Sequence, residues 1–301
     1  MLDDHMIRAV TADGALRVIA CVTTATAREG SRRHGCVGAA SVALGRGLTA
    51  GLMLATLTKG GEKVQLQILG DGPLGGVTVS ATDAGDARGY VHKATVFAAA
   101  GGEQRVRLAD AMGRAGAVNV LRDLGMKEQY TGQCPLVTGE IDEDVEAYLR
   151  VSEQITSAMG CEVVLSDAFE IRVSAGVLVQ TLPGRDAEAR VREVQHRLRT
   201  GALFEALRGE ATAEDVAREL LGMPGAELDV LDLRPVRFKC TCSQERVTAM
   251  LGLLGPDELA EMISEGKDAE VFCNFCNERY VASQERLRRI RDELTRSHGQ
   301  A

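Results

Sequence analysis

The chain carries Phe238-Lys239-Cys240-Thr241-Cys242-Ser243 and, further on, Phe272-Cys273-Asn274-Phe275-Cys276-Asn277. These are a C-x-C pair and a C-x-x-C pair separated by thirty residues. Two thiols on one short turn can reach one metal ion without distorting the backbone. Two such pairs supply the four sulfurs of a tetrahedral zinc site, with Zn–S bonds of roughly 2.3 Å. The common ribbon spacing is C-x-x-C twice, so the first pair here is the tighter variant. The alternative, four unrelated cysteines, does not explain why they are paired at both ends. Cys240, Cys242, Cys273 and Cys276 are therefore the expected ligands.

The surroundings of these pairs are thin in apolar residues. From 236 to 301 the sequence offers a helix from about Gln244 to Leu254, another begun by Gly255-Pro256, a short strand Glu270-Val271-Phe272, and a last helix from about Ser283 to Leu294. Proline suits the first helical position. A module of about 65 residues often needs a metal or disulfides to stay folded. Structural zinc contributes on the order of 10–16 kcal/mol of apparent binding energy, comparable with a whole domain's stability of about 5–15 kcal/mol. Loss of the metal should then unfold the module. Because the ligands are thiolates, an oxidant would remove the metal and leave cysteines able to pair. Spacing alone leaves two readings open: inert structural zinc, or a zinc site that responds to oxidants.

Ahead of the module, residues 186–235 read as a helical linker. Val191, Val194, Leu198, Ala202 and Leu207 form one helical stripe among Arg and Glu of alternating sign, and Ala213 to Leu221 is a second helix, stopped by Gly222-Met223-Pro224-Gly225. Helices of this length are marginal alone in water, so the segment depends on packing against the rest of the chain. Its order is conditional.

Residues 1–185 read as a β-rich core with packed helices, making the whole an α+β protein. Ala15–Thr24, Val64–Leu69, Val77–Ser80, Asp86–Val91, 161–173 and 177–182 have strand character, and 117–139 reads as a hairpin with Tyr130-Thr131-Gly132 opening its second strand. Arg28 to Cys36 reads as a polar loop. Ala39 to Leu57 is the most apolar run; with Arg46 and three glycines it reads as a buried helix rather than a membrane span, which needs about 20 apolar residues. Asp142 to Met159 reads as an amphipathic helix whose acidic first turn suits the helix dipole. Gly70-Asp71-Gly72-Pro73-Leu74-Gly75-Gly76 matches no phosphate-binding pattern, and Pro73 removes an amide donor; it reads as a hairpin turn.

Composition narrows the function. Of 301 residues 45% are hydrophobic, 26% charged and 3% aromatic, with no Trp, which is an ordinary globular make-up with a core of Val, Leu, Ile and Ala. A net charge of −8 argues against a general nucleic-acid binder, which must neutralise phosphates. Arg286-Leu287-Arg288-Arg289-Ile290-Arg291 is the best support for that role. Residues 237–301, however, hold ten Lys and Arg against eleven Asp and Glu, so the run reads as a solvated helix face. The beginning, Met1-Leu2-Asp3-Asp4-His5, lacks a basic n-region and an apolar h-region, so a cytoplasmic setting is expected, where cysteines are reduced or metal-bound at rest. Cys273-Asn274-Phe275-Cys276 could serve a thiol oxidoreductase, but it lacks the βαβ context of that chemistry.

Taken together these residues resemble the 33 kDa chaperonin family of redox-regulated heat-shock holdases. The likeness rests on Cys240-Thr241-Cys242-Ser243, Cys273-Asn274-Phe275-Cys276-Asn277 and Tyr280, and upstream on Gln67–Leu74, Arg88-Gly89-Tyr90, Tyr130-Thr131-Gly132 and Tyr148–Gln154, in order along nearly the whole chain. It implies a chaperone and not an enzyme, acting without ATP and inactive while reduced and holding one zinc per chain. It implies that oxidation forms the disulfides Cys240–Cys242 and Cys273–Cys276, releases zinc, unfolds the module and linker, and exposes a surface for unfolded client proteins, usually in a homodimer. No nucleic acid or membrane partner is implied. Cys21, Cys36, Cys134 and Cys161 match no motif of the family and read as small buried apolar residues, and His34-Gly35-Cys36 has no second pair to complete a metal site. The helix over 39–57 and the linker stripe are the candidate client surfaces.

Overall fold

Residue-level geometry comes from a computed structural model that describes residues 3–58, 63–97, 104–123, 130–183, 187–209, 211–222 and 228–298. Met1, Leu2, Gly184, Asp186 and the helix stop at Met223-Pro224-Gly225 lie outside these residues. The chain divides into two units, Met1–Lys239 and Cys240–Ala301.

The first unit begins with strands β1 (His5–Thr11) and β2 (Leu16–Val22), helix α1 (Thr24–His34), the short strand β3 (Val37–Gly38) and helix α2 (Ala39–Ala55). A meander follows: β4 (Lys63–Gly70), β5 (Gly76–Thr82), β6 (Asp86–Val91) and β7 (Thr95–Val96). After α3 (Ala109–Met112) come the hairpin strands β8 (Gly116–Asp123) and β9 (Tyr130–Pro135), then α4 (Ile141–Ser152), β10 (Ser157–Leu165) and β11 (Ile171–Thr181). Helices α5 (Glu188–Arg199), α6 (Ala202–Ala206) and α7 (Ala213–Leu221) lead to β12 (Leu228–Pro235) and β13 (Arg237–Phe238). The second unit holds α8 (Gln244–Leu251), α9 (Pro256–Ser264), β14 (Ala269–Phe272), β15 (Arg279–Ala282) and α10 (Gln284–His298).

Two sheets carry the first unit. One is antiparallel, in the order β10-β11-β2-β1-β12; the other runs β13-β6-β5-β4-β8-β9, with only β13 parallel to its neighbour. Helix α2 lies between them, and every one of its residues is buried. Glycines allow that approach: a Cβ on Gly45 would lie 2.6 Å from Val163 of β10, and one on Gly51 2.7 Å from Val79 of β5. Total burial also removes this helix as a client surface of the folded chain.

Period-2 alternation sorts the five-stranded sheet into two cores. Ile19 and Cys21 point toward α2, while Leu16, Val18, Ala20 and Val22 point outward. The outward face is covered by Val191, Val194 and Leu198 of α5, Leu203 and Phe204 of α6, and Val216, Ala217 and Leu220 of α7. The linker stripe is thus buried, but it is divided between two helices at Thr200–Gly201, where Gly201 takes φ 94°. The last part of the segment is not helical. Leu228–Pro235 pairs antiparallel with β1 and becomes the sheet edge.

Two further expectations are corrected and a third is extended. Arg28 to Cys36 is mostly helix α1, because its small residues Ala27, Gly30 and Ser31 pack inward while Arg32 and Glu29 pair outside. The amphipathic helix after Glu140 ends at Ser152. Gln154 takes φ 56°, and Met159 belongs to β10 rather than to the helix. The acidic residues that open α4 do more than face a helix dipole. Asp144 accepts from the amides of Val137 (2.8 Å), Thr138 (2.8 Å) and Gly139 (2.9 Å), and Asp142 from that of Cys161 (3.2 Å). The 70–76 segment is a turn, tethered by Asp71, which accepts from the amides of Arg114 (3.0 Å) and Ala115 (3.1 Å). No helix among the described residues is long and apolar enough to cross a membrane.

Candidate metal centre

The second unit has a small core. Val247, Leu251, Leu259, Ala282, Leu287 and Ile290 are its buried apolar cluster, edged by Met262, Ile263, Val271, Tyr280 and Leu294. Six buried side chains are few for about sixty residues, and the two cysteine pairs meet beside them.

Local chemistry shapes each pair. Cys242 directly precedes Ser243, whose hydroxyl caps α8 by accepting from the Arg246 amide (3.3 Å). The cap fixes where α8 starts and so where the C-x-C turn ends. The C-x-x-C turn lies between β14 and β15. The Cys273 carbonyl accepts from the amides of Cys276 (3.3 Å) and Asn277 (2.7 Å), and the Glu278 carbonyl from that of Cys273 (2.9 Å). Asn277 sits at φ 56°, a left-handed position that Asn tolerates better than most residues.

The four sulfurs converge. Cys240 Sγ lies 3.7 Å from Cys273 Sγ and Cys242 Sγ 3.3 Å from Cys276 Sγ, and all four lie within 4.8 Å of one another. A tetrahedron with bonds of about 2.3 Å has edges of about 3.8 Å, so the spacing fits one metal ion held by four thiolates. Among the described residues no other group of three or more His, Cys, Asp or Glu side chains is placed to hold a metal. Burial pushes the Cys242 and Cys276 thiols up, and the hydrogen bond from Tyr280 pulls Cys242 partly back. A bound cation would reverse the burial effect by stabilising the thiolates.

Cys21, Cys134 and Cys161 are buried in the first unit, as small apolar residues would be. Cys36 is only half-buried, and neither it nor His34 joins the four-sulfur group. Burial pushes the Cys36 thiol up to about 12, so it is not an activated nucleophile.

A polar site inside the first unit was not anticipated. Arg46, fully buried in α2, pairs with Glu140 (2.9 Å) and Glu162 (2.6 Å) and donates to the Val106 carbonyl (2.8 Å). Burial works against its charge, but Glu162, Asp142 and Glu140 outweigh that and push its pKa up. Arg105 carries the network outward, pairing with Glu162 and donating to the Arg199 carbonyl (3.4 Å). Glu146 of α4 accepts from the Met159 amide (3.0 Å) and from Gln195 (2.9 Å) and Arg199 (3.3 Å) on α5. The visible signal was one arginine inside an apolar helix together with an acidic run opening α4.

The fold and site define an α+β protein with a helix held between two sheets and a terminal four-cysteine unit able to hold a metal ion. The Hsp33 protein family model matches residues 4–283, and the chain belongs to that family of chaperones. It is similar to the 33 kDa chaperonin of Bacillus subtilis (strain 168), with 37% identity over 97% of this chain and 100% of the relative. It is likewise similar to that of Geobacter sulfurreducens, with 38% identity over 98% and 97%. The crystal structure of the 33 kDa chaperonin (heat shock protein 33 homolog) from Thermotoga maritima superposes with a TM-score of 0.86 at 28% identity, covering 98% of this chain and 100% of that one.

Proposed function

We propose that the chain is a redox-regulated, ATP-independent holdase of the cytoplasm, silent when reduced and switched on by oxidation to hold unfolding proteins as a homodimer. The observation that carries this reading is the convergence of four sulfurs within 4.8 Å beside a core of six buried apolar side chains. When bound, a zinc ion would keep Cys240, Cys242, Cys273 and Cys276 as thiolates and cross-link a unit that has little else to hold it.

The chain's own residues do the rest. Oxidation joins Cys240 to Cys242 and Cys273 to Cys276, after which these sulfurs no longer hold the metal and the two turns lose their common anchor. Chain continuity then matters. Cys240 follows β13 by two residues, and β13 follows β12 by two. Disorder beginning at the first pair therefore reaches the edge strand of the linker directly. The linker's helices hold to the sheet through one apolar face each, and isolated helices of nine to twelve residues are not stable in water. Their release would expose Leu16, Val18, Ala20 and Val22, with Val177 and Val179 beside them, as one apolar sheet face. Such a face would bind the apolar segments of an unfolding protein through the hydrophobic effect, with no catalysis involved.

The test is suppression of aggregation of a heat-denatured client. The zinc-loaded, reduced chain should leave the client to aggregate. The same chain treated with hydrogen peroxide at mild heat should keep it in solution. Equal suppression before and after oxidation would refute the switch.

A further inference from the structure

Tyr280 stands on β15, opposite Val271 of β14 in the hairpin. Its half-buried ring packs against the small apolar cluster of the second unit, and its hydroxyl donates to Cys242 Sγ at 3.0 Å. Apolar packing thus fixes the ring while the O–H is aimed at one of the four sulfurs. A hydrogen bond to a thiolate occupies a lone pair that would otherwise attack an electrophile, and donors of this kind also hold a ligand in place for its metal.

We infer that Tyr280 is a positioning residue that restrains the oxidation of Cys242 and so sets how much oxidant the chain tolerates before it switches. This rests on the reading above, in which the Cys240–Cys242 pair is part of the switch. With hydrogen peroxide as oxidant, the Cys242 thiolate attacks one peroxide oxygen. An S–O bond forms, the O–O bond breaks, and hydroxide leaves to be protonated by solvent. The Cys240 thiolate then attacks the sulfenic sulfur. The S–S bond forms, the S–O bond breaks, and a second hydroxide leaves. Two thiolates supply the two electrons that reduce one peroxide to two waters. The first attack needs the lone pair that Tyr280 engages, so the hydrogen bond must be given up before the S–O bond can form.

Tyr280→Phe keeps the ring and its packing and removes only the hydroxyl. In the full chain, three quantities are read: the rate at which hydrogen peroxide releases zinc to a chromogenic chelator, zinc affinity by chelator competition, and the sulfur-to-metal charge-transfer band of the cobalt(II)-substituted protein. Tyr280→Phe should release zinc several-fold faster than the native chain, bind zinc roughly tenfold more weakly, and shift the charge-transfer band to lower energy, because the sulfur lone pair is no longer stabilised. Val271→Ala loosens the same hairpin while keeping the Tyr280 hydroxyl and should leave the band in place. Zinc release at the native rate in Tyr280→Phe, or faster release with an unmoved band, would overturn the inference, the second result showing a merely structural hydroxyl. A native chain that takes up zinc but keeps it through oxidation would instead overturn the functional reading on which the inference rests.

Discussion

Arg46 shows what one buried charge demands of its neighbours. Its guanidinium is held by Glu140 and Glu162, and two further arginines reach the same carboxylates, Arg105 on Glu162 and Arg107 on Glu140 (3.1 Å). Removing one partner of a buried ion pair leaves an uncompensated charge and typically costs about 3–5 kcal/mol. Arg46→Leu should therefore lower the stability of the first unit by about that much, read as a shift in denaturant midpoint; a change below about 1 kcal/mol would contradict the network's role. Glu146 makes a prediction of a different kind. Burial pushes its carboxyl up to about 7, against the pull of the Met159 amide and Arg199. Between an unfolded value near 4.5 and the folded value near 7, the folded chain holds the extra proton, so stability falls as pH rises through that window. Glu146→Gln removes the titration. The native chain should lose on the order of 1–3 kcal/mol relative to Glu146→Gln between about pH 5 and about pH 8, measured by paired melts. A difference that is flat with pH would mean the carboxyl titrates normally.

At the level of elements, the linker is held by complementary shape. Gly160 of β10 faces Leu198 of α5 so closely that a Cβ there would lie 2.4 Å from Leu198 Cδ2. Gly160→Val should push α5 off the sheet, and the reduced, metal-loaded variant should already suppress client aggregation. A variant as silent as the native chain would show that α5 does not cover the active surface. Much of this was legible in the sequence. The stripe Val191, Val194, Leu198 and Leu207 was visible as helical periodicity, and the pairing of Cys240 with Cys242 and Cys273 with Cys276 in sequence pointed to one convergent site. What was missed depended on partners distant in the chain. Leu228–Pro235 has three exposed apolar residues, Val230, Leu231 and Leu233, and becomes a strand only because β1 offers an edge. The helix α1 is mostly polar, and its inward face consists of small residues that carry little hydrophobic signal. The hydrogen bond from Tyr280 to Cys242 joins residues 38 positions apart, which no local pattern announces.

At the scale of the whole molecule, the two units differ in what holds them. The first has two extensive apolar cores, one on each side of the five-stranded sheet. The second has six buried apolar side chains and four convergent sulfurs. A disturbance of sulfur chemistry should therefore be felt first in the second unit, then in the linker, and last in the α2 core. On the proposed function, thiol oxidation, metal loss and client binding form a single event. The most direct test follows zinc content, free-thiol titre and suppression of client aggregation in the same samples across a peroxide titration. One zinc per chain should leave as four thiols disappear, with chaperone activity rising in step. Activity that appears while zinc and the four thiols stay in place, or zinc loss that leaves the chain silent, would contradict it.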